Sequence, residues 1–261
     1  MATRDEMALS FGSAAGEYQT GRPSYPAAAV EWLLAPAGEH PRVADVGAGT
    51  GKLTAALLDA GADVIAVEPD AAMLATLREA LPAVETLIGA AERMNLPDES
   101  VDAVVLGQAW HWVDVVAASA EVGRVLRPGG VLGLVWNIRD VSTPWVARLG
   151  AIMKGSHAEE LLSGAGPAVA APFGALEHES WRWSRRLTRS ALAAMVRSRS
   201  YVITATPSER DRILARSRSS SPRRVTGVRT GSRSSTCRIA PRRSAASADE
   251  RADAAPRCQA A

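Results

Sequence analysis

The run Val43-Ala44-Asp45-Val46-Gly47-Ala48-Gly49-Thr50-Gly51, followed by Val64-Ile65-Ala66-Val67-Glu68, restricts the fold of this 261-residue chain more than any other feature. An apolar strand enters a glycine-rich turn, a helix follows, and a second apolar strand ends in a carboxylate. That order builds a nucleotide-sized pocket at the carboxyl end of a parallel sheet. The glycines fall at 47, 49 and 51. A dinucleotide fingerprint would need glycine where Lys52 stands. A phosphate-binding P-loop ending in Gly51-Lys52 would need glycine at Val46 and a hydroxyl residue at Leu53. A turn this tight, with neither pattern complete, suits a ligand that needs close backbone approach without phosphate binding. Glu68 stands where a ribose-binding carboxylate belongs.

Periodicity extends the pattern. Strands are expected at 43–47, 63–67, 84–88, 102–107 and 131–136, and helices at 51–60, 71–80 and 115–125. Apolar strands separated by helices imply a parallel sheet covered on both faces. Ahead of it, Ala27 to Leu34 reads as a helix with Val30, Leu33 and Leu34 on one face. Behind it, 138–213 is less regular: 173–187 alternates like an edge strand, Thr188 can cap a helix, and Pro207 begins another.

Four segments in register resemble the class I S-adenosyl-L-methionine (SAM)-dependent methyltransferases. These are the glycine turn, Glu68-Pro69-Asp70 with Met73, Gly89-Ala90-Ala91-Glu92 followed by Leu96-Pro97-Asp98, and Leu126-Arg127-Pro128-Gly129-Gly130. Together they cover residues 40–137. The resemblance implies an α/β fold: a Rossmann-like, doubly wound, mostly parallel sheet. It also implies domains at 1–42 (an N-terminal helical lid), 43–213 (the methyltransferase domain) and 214–261 (a basic tail).

By resemblance, the cofactor SAM would be held by Asp45, Gly47, Ala48, Gly49, Gly51, Glu68, Pro69, Met73, Ala91, Glu92 and Gln108. A carboxylate at 68 suits two ribose hydroxyls because it only accepts. The N-terminal Gly21-Arg22-Pro23-Ser24-Tyr25-Pro26 and the Ala109-Trp110-His111-Trp112 turn are similar to segments of the subfamily of trans-aconitate methyltransferase-like enzymes. They bring Tyr18, Arg22, Trp110, His111 and Trp112 into the expected acceptor site, His111 as a candidate base. Arg139, after the fifth strand, would suit a carboxylate. The acceptor is expected to be a small molecule with an oxygen or carbon nucleophile, the resemblance to the trans-aconitate methyltransferase-like enzymes pointing to a small acid, and no metal is required. A non-catalytic SAM-binding protein and an NAD-linked oxidoreductase are the alternatives.

The net charge of +2 hides a division: from residue 214 on, 11 arginines face 3 acidic residues, so the remainder carries about −6. From Ser217 the chain is Arg, Ser, Ala, Pro and Thr without period, which is the composition of disorder. Arginine outnumbers lysine 28 to 2, a mark of GC-rich coding DNA. Codons for Ser217–Pro222 can be chosen that, read one base earlier, give Val-Ala-Glu-Leu-Leu-Ala, so a shifted reading frame accounts for the break. On that reading the antiparallel last strand of the fold is missing. The tail has no aromatics to stack bases, and no nucleic-acid partner is expected. Cys237 and Cys258 have no metal-like spacing. No apolar run reaches the roughly 18 residues of a membrane helix. A cytoplasmic monomer or weak dimer is the expectation.

Overall fold

The computed structural model describes residues 11–153, 157–220 and 236–239. Five parallel strands form its centre: β1 (Arg42–Val46), β2 (Asp63–Glu68), β3 (Glu85–Ile88), β4 (Val101–Gly107) and β5 (Leu126–Val135). Two antiparallel strands, β6 (Leu176–Glu179) and β7 (Thr236–Ile239), complete a sheet of order β3-β2-β1-β4-β5-β7-β6. Helices α1 (Ala15–Gly21) and α2 (Ala27–Leu34) precede it. Between strands lie α3 (Lys52–Asp59), α4 (Ala71–Ala80) and α5 (Val115–Val125). After β5 come α6 (Pro144–Met153), α7 (His157–Ser163), α8 (Arg189–Arg197), α9 (Ser200–Ile203) and α10 (Pro207–Ser220).

Side chains alternate across the sheet, so each inner strand feeds two cores. Ala44, Val46, Ile65, Val104 and Leu132 pack with Val122 and Val125 of α5. Val43, Val64, Val105 and Val131 pack with Leu33 of α2 and Leu53 and Leu57 of α3. Helix starts are fixed by side chains that accept otherwise unmet backbone N–H groups. Asp70 does this for α4, Asp114 for α5 and Thr188 for α8. A separate cluster of Leu149, Met153, Leu192, Met195 and Val202 joins α6, α8 and α9.

Three expectations need correction. The last strand is present: β7 pairs antiparallel with β5 at Leu134↔Cys237 and with β6 from Leu176↔Ile239 to Glu179↔Thr236. Strand pairing is a main-chain interaction, and two open edges accept any short segment able to extend. The edge strand expected over 173–187 is confined to Leu176–Glu179. The boundary at 213/214 falls inside α10, which continues to Ser220; the rest of the expected tail, apart from β7, lies outside the described residues.

Helix α1 is fastened to α8. Arg22 donates from Nε to Ser198 Oγ at 3.1 Å and from Nη2 to the Ser198 carbonyl at 2.8 Å. Arg197 Nε meets Glu17 at 2.7 Å, and Arg185 Nη2 reaches the Gly21 carbonyl at 2.6 Å. Gly21 lies flat on the backbone of Ala194 and Met195, with no room for a Cβ. Gly21→Ala is expected to force these helices apart and cost about 1–3 kcal/mol, read as a lower urea midpoint with faster proteolysis of the N-terminal segment.

Candidate active site

Strand order reverses between β1 and β4, and the crevice at their carboxyl ends is where such sheets bind ligands. Here the backbone makes unusual turns. Gly47, Gly49 and Gly51 all have positive φ (68°, 58° and 83°), as does the non-glycine Gln108 at 60°. Gly47 N–H donates to the Val67 carbonyl at 2.8 Å, tying the end of β1 to β2. A Cβ on Gly47 would sit 2.8 Å from that of Ala109, so this glycine lets the β1 and β4 loops approach. Gln108 is held by its N–H to Val135 and by Nε2 to the Asn137 carbonyl, both at 2.9 Å.

Glu68, 7% exposed at the end of β2, accepts from Gly49 N–H at 2.8 Å through Oε2 and from Asp70 N–H at 2.9 Å through Oε1. Burial raises its pKa, while these two bonds oppose the shift. Each oxygen keeps a second lone pair. The N-terminal segment rests on the same turn. Gly12 N–H donates to Asp70 Oδ2 at 2.9 Å, and Thr50 Oγ1 donates to Gln19 at 2.7 Å.

A cavity of about 340 Å³ opens there. The expected cofactor residues Gly47, Gly49, Glu68, Pro69, Met73, Ala91, Glu92 and Gln108 line it, as do the expected acceptor residues Tyr18, Arg22, His111 and Trp112. Others are elsewhere. Gly51 is the left-handed residue that starts α3, and Ala48 packs with Leu74 and Leu77. Asp45 is fully buried under the turn, where it accepts from Thr54 Oγ1 at 2.6 Å. Trp110 is 2% exposed, and its indole N–H donates to the Ala168 carbonyl at 2.8 Å. That tryptophan belongs to the core rather than to the acceptor wall. Arg139 is ion-paired with Glu159 at 2.7 Å and lines a smaller chamber of about 40 Å³.

The walls also hold residues outside the expected site: His157 and Ala158 from α7, and Arg199, Ser200 and Tyr201 at the α8–α9 junction. One signal was available. The chain has 3 tyrosines, and Tyr18, Tyr25 and Tyr201 all face this cavity or the smaller chamber. His111 Nδ1 accepts from the Trp136 indole N–H at 3.3 Å. An indole only donates, so a neutral His111 carries its proton on Nε2. The cavity is electrostatically divided. Glu68 and Asp70 stand by the glycine turn and Glu92 by the start of α5, where it accepts from Asp114 N–H at 2.7 Å, while Arg22 and Arg199 come from the helical side. Among the described residues, no group of three His, Cys, Asp or Glu side chains could hold a metal ion.

Comparison with known proteins defines the class. A methyltransferase domain family matches residues 44–134, the span from β1 to β5. An uncharacterized methyltransferase of Mycobacterium tuberculosis (strain ATCC 25618 / H37Rv) is 49% identical over 218 residues, covering 83% of this chain and 87% of the relative. An uncharacterized methyltransferase-like protein of Schizosaccharomyces pombe is 32% identical over 219 residues, covering 79% and 83%. A solved type II methyltransferase from Anaeromyxobacter dehalogenans, 25% identical, superposes with a TM-score of 0.56 over 84% of this chain and 95% of that one. The fold is that of the class I SAM-dependent methyltransferases. This chain belongs to that family and is a SAM-dependent enzyme.

Asp45 gives the site a pH signature. Burial, then the nearby Glu68, raises its pKa from 3.8 to about 7 against the relief supplied by Thr54. A carboxyl whose folded-state pKa is raised loses stability on ionising. The fold is therefore expected to weaken as pH rises from about 4 to about 7, by on the order of a few kcal/mol, and to level off above that. Urea midpoints across this range should fall for the parent chain and stay flat, as far as this group is concerned, for Asp45→Asn.

Proposed function

We propose that the chain transfers the methyl group of SAM to a small-molecule acceptor through an oxygen or carbon nucleophile. The division of one cavity into a carboxylate-bearing nucleotide side and an arginine-bearing helical side carries this reading. SAM supplies an activated, electrophilic methyl group for in-line displacement. The protein's work is to orient the two reactants and exclude water.

Glu68 uses its remaining lone pairs for the ribose hydroxyls. Gly47 and Gly49 let the backbone approach, and Met73, Ala91 and Glu92 flank the base. Tyr18, Arg22 and Gln108 take the amino-acid end. Asp45, enclosed under the turn, acts indirectly by holding Thr54 in the first turn of α3. Helix α1, clamped on α8, serves as the roof. Trp112 offers an aromatic wall to the acceptor. His111 serves as a hydrogen-bond donor through Nε2 rather than as a base, because Trp136 occupies Nδ1. No helix among the described residues is long and apolar enough to cross a membrane. We place the enzyme in the cytoplasm, as a monomer or weak dimer that acts without nucleic acid.

Calorimetric titration with S-adenosylhomocysteine tests the cofactor site. Glu68→Ala should weaken binding about 10- to 100-fold, the value of one or two hydrogen bonds to a charged acceptor. Glu68→Gln, which keeps one acceptor oxygen, should fall between that variant and the parent. Undiminished binding by a folded Glu68→Ala chain would remove the proposal.

A further inference from the structure

Four arginines gather beside the cavity, and three of them are matched. Arg139 pairs with Glu159. Arg22 is held by Ser198 and lies 4.9 Å from the Tyr18 ring centroid. Arg185 donates to the Gly21 carbonyl. Arg199 is different: the Nε atoms of Arg139, Arg185 and Arg199 are all buried without a partner, but Arg139 and Arg185 each bond through Nη2, whereas the Arg199 guanidinium makes no hydrogen bond or ion pair with the described residues. Two residues on, the Tyr201 hydroxyl is likewise buried and unpartnered. Both side chains line the main cavity.

A cation enclosed without a partner is costly, and an unmatched buried hydroxyl adds to that cost. Here burial, reinforced by Arg22 and Arg139, pulls the Arg199 pKa well below its ordinary range, and burial pushes Tyr201 up to about 12. An arginine fork beside a hydroxyl donor is complementary to a planar anion with two oxygens.

Building on the methyltransferase reading above, we infer that Arg199 and Tyr201 bind a carboxylate of the methyl acceptor, so that the acceptor is an organic acid anchored at the α8–α9 junction. The cofactor's own carboxylate is the other possible source of such a group. The cofactor's amino-acid end, which bears that carboxylate, is already assigned to Tyr18, Arg22 and Gln108, which leaves Arg199 and Tyr201, at the α8–α9 junction on the wall of the same cavity, for the acceptor. Arg139, expected from sequence to meet a carboxylate, already has Glu159.

The test is calorimetric titration of the full chain, with and without S-adenosylhomocysteine, using succinate, benzoate, their uncharged amides and inorganic phosphate. At least one carboxylate should bind saturably, at least 10-fold tighter than its amide and than phosphate. Arg199→Gln should weaken that carboxylate at least 10-fold, and Tyr201→Phe should weaken it less. Arg199→Lys, which keeps the charge without the fork, should fall between Arg199→Gln and the parent and guards against a folding defect in Arg199→Gln. Affinity of these variants for S-adenosylhomocysteine should stay within about two-fold. Equal binding of acid and amide, a preference for phosphate, or retained carboxylate binding in a folded Arg199→Gln chain would overturn the assignment. So would a loss of S-adenosylhomocysteine affinity in Arg199→Gln as large as that in Glu68→Ala, which would give Arg199 to the cofactor. Carboxylate binding by a chain that does not bind S-adenosylhomocysteine would instead reject the cofactor reading and leave the anion site standing.

Discussion

The contact between Glu68 and the turn after β1 holds the site together. One carboxylate accepts the N–H of Gly49 from the first βα turn and that of Asp70 from the start of α4. It thereby fixes two adjacent loops at the carboxyl edge of the sheet. Asp70 in turn caps α4 and receives the N–H of Gly12 from the N-terminal segment. The floor of the cavity and part of its roof are thus coupled through two carboxylates separated by one proline. The positive φ angles of Gly47 and Gly49 are the backbone condition for this arrangement, since an L side chain is strained there.

The parallel sheet supplies rigidity, and the helices after β5 supply part of the cavity's wall. Strands β1, β4 and β5 are buried on both faces, so the loops at their ends are held by packing rather than by their own contacts. The α8–α9 junction brings Arg199 and Tyr201 over the same opening, and α1 locks onto α8 beside them. Groups lining the cavity therefore come from sequence positions about 180 residues apart, joined by the Arg22–Ser198 and Arg197–Glu17 contacts.

The central fold was legible because buried parallel strands read as apolar runs and their helices carry local caps such as Asp70, Asp114 and Thr188. The glycine turn and Glu68 were legible because their spacing is local to one βαβ unit. Trp110 and Trp112 could not be sorted from sequence: a single 3₁₀ turn sends one into the core and leaves the other at the cavity. Arg139 and Arg199 are equally plain as sequence; only the fold shows that Glu159 neutralises the first. Strand β7 was missed because main-chain pairing between two open edges demands little of side chains, so its sequence carries little signal.

Backbone amide hydrogen exchange of the full chain, with and without S-adenosylhomocysteine, tests most directly that the glycine turn, the end of β2 and the helical roof form one ligand site. Added protection is expected over Gly47–Gly51, Glu68–Met73 and Ala90–Glu92, together with α1. Saturable binding that leaves these segments unchanged, or protects a different part of the sheet, would contradict it.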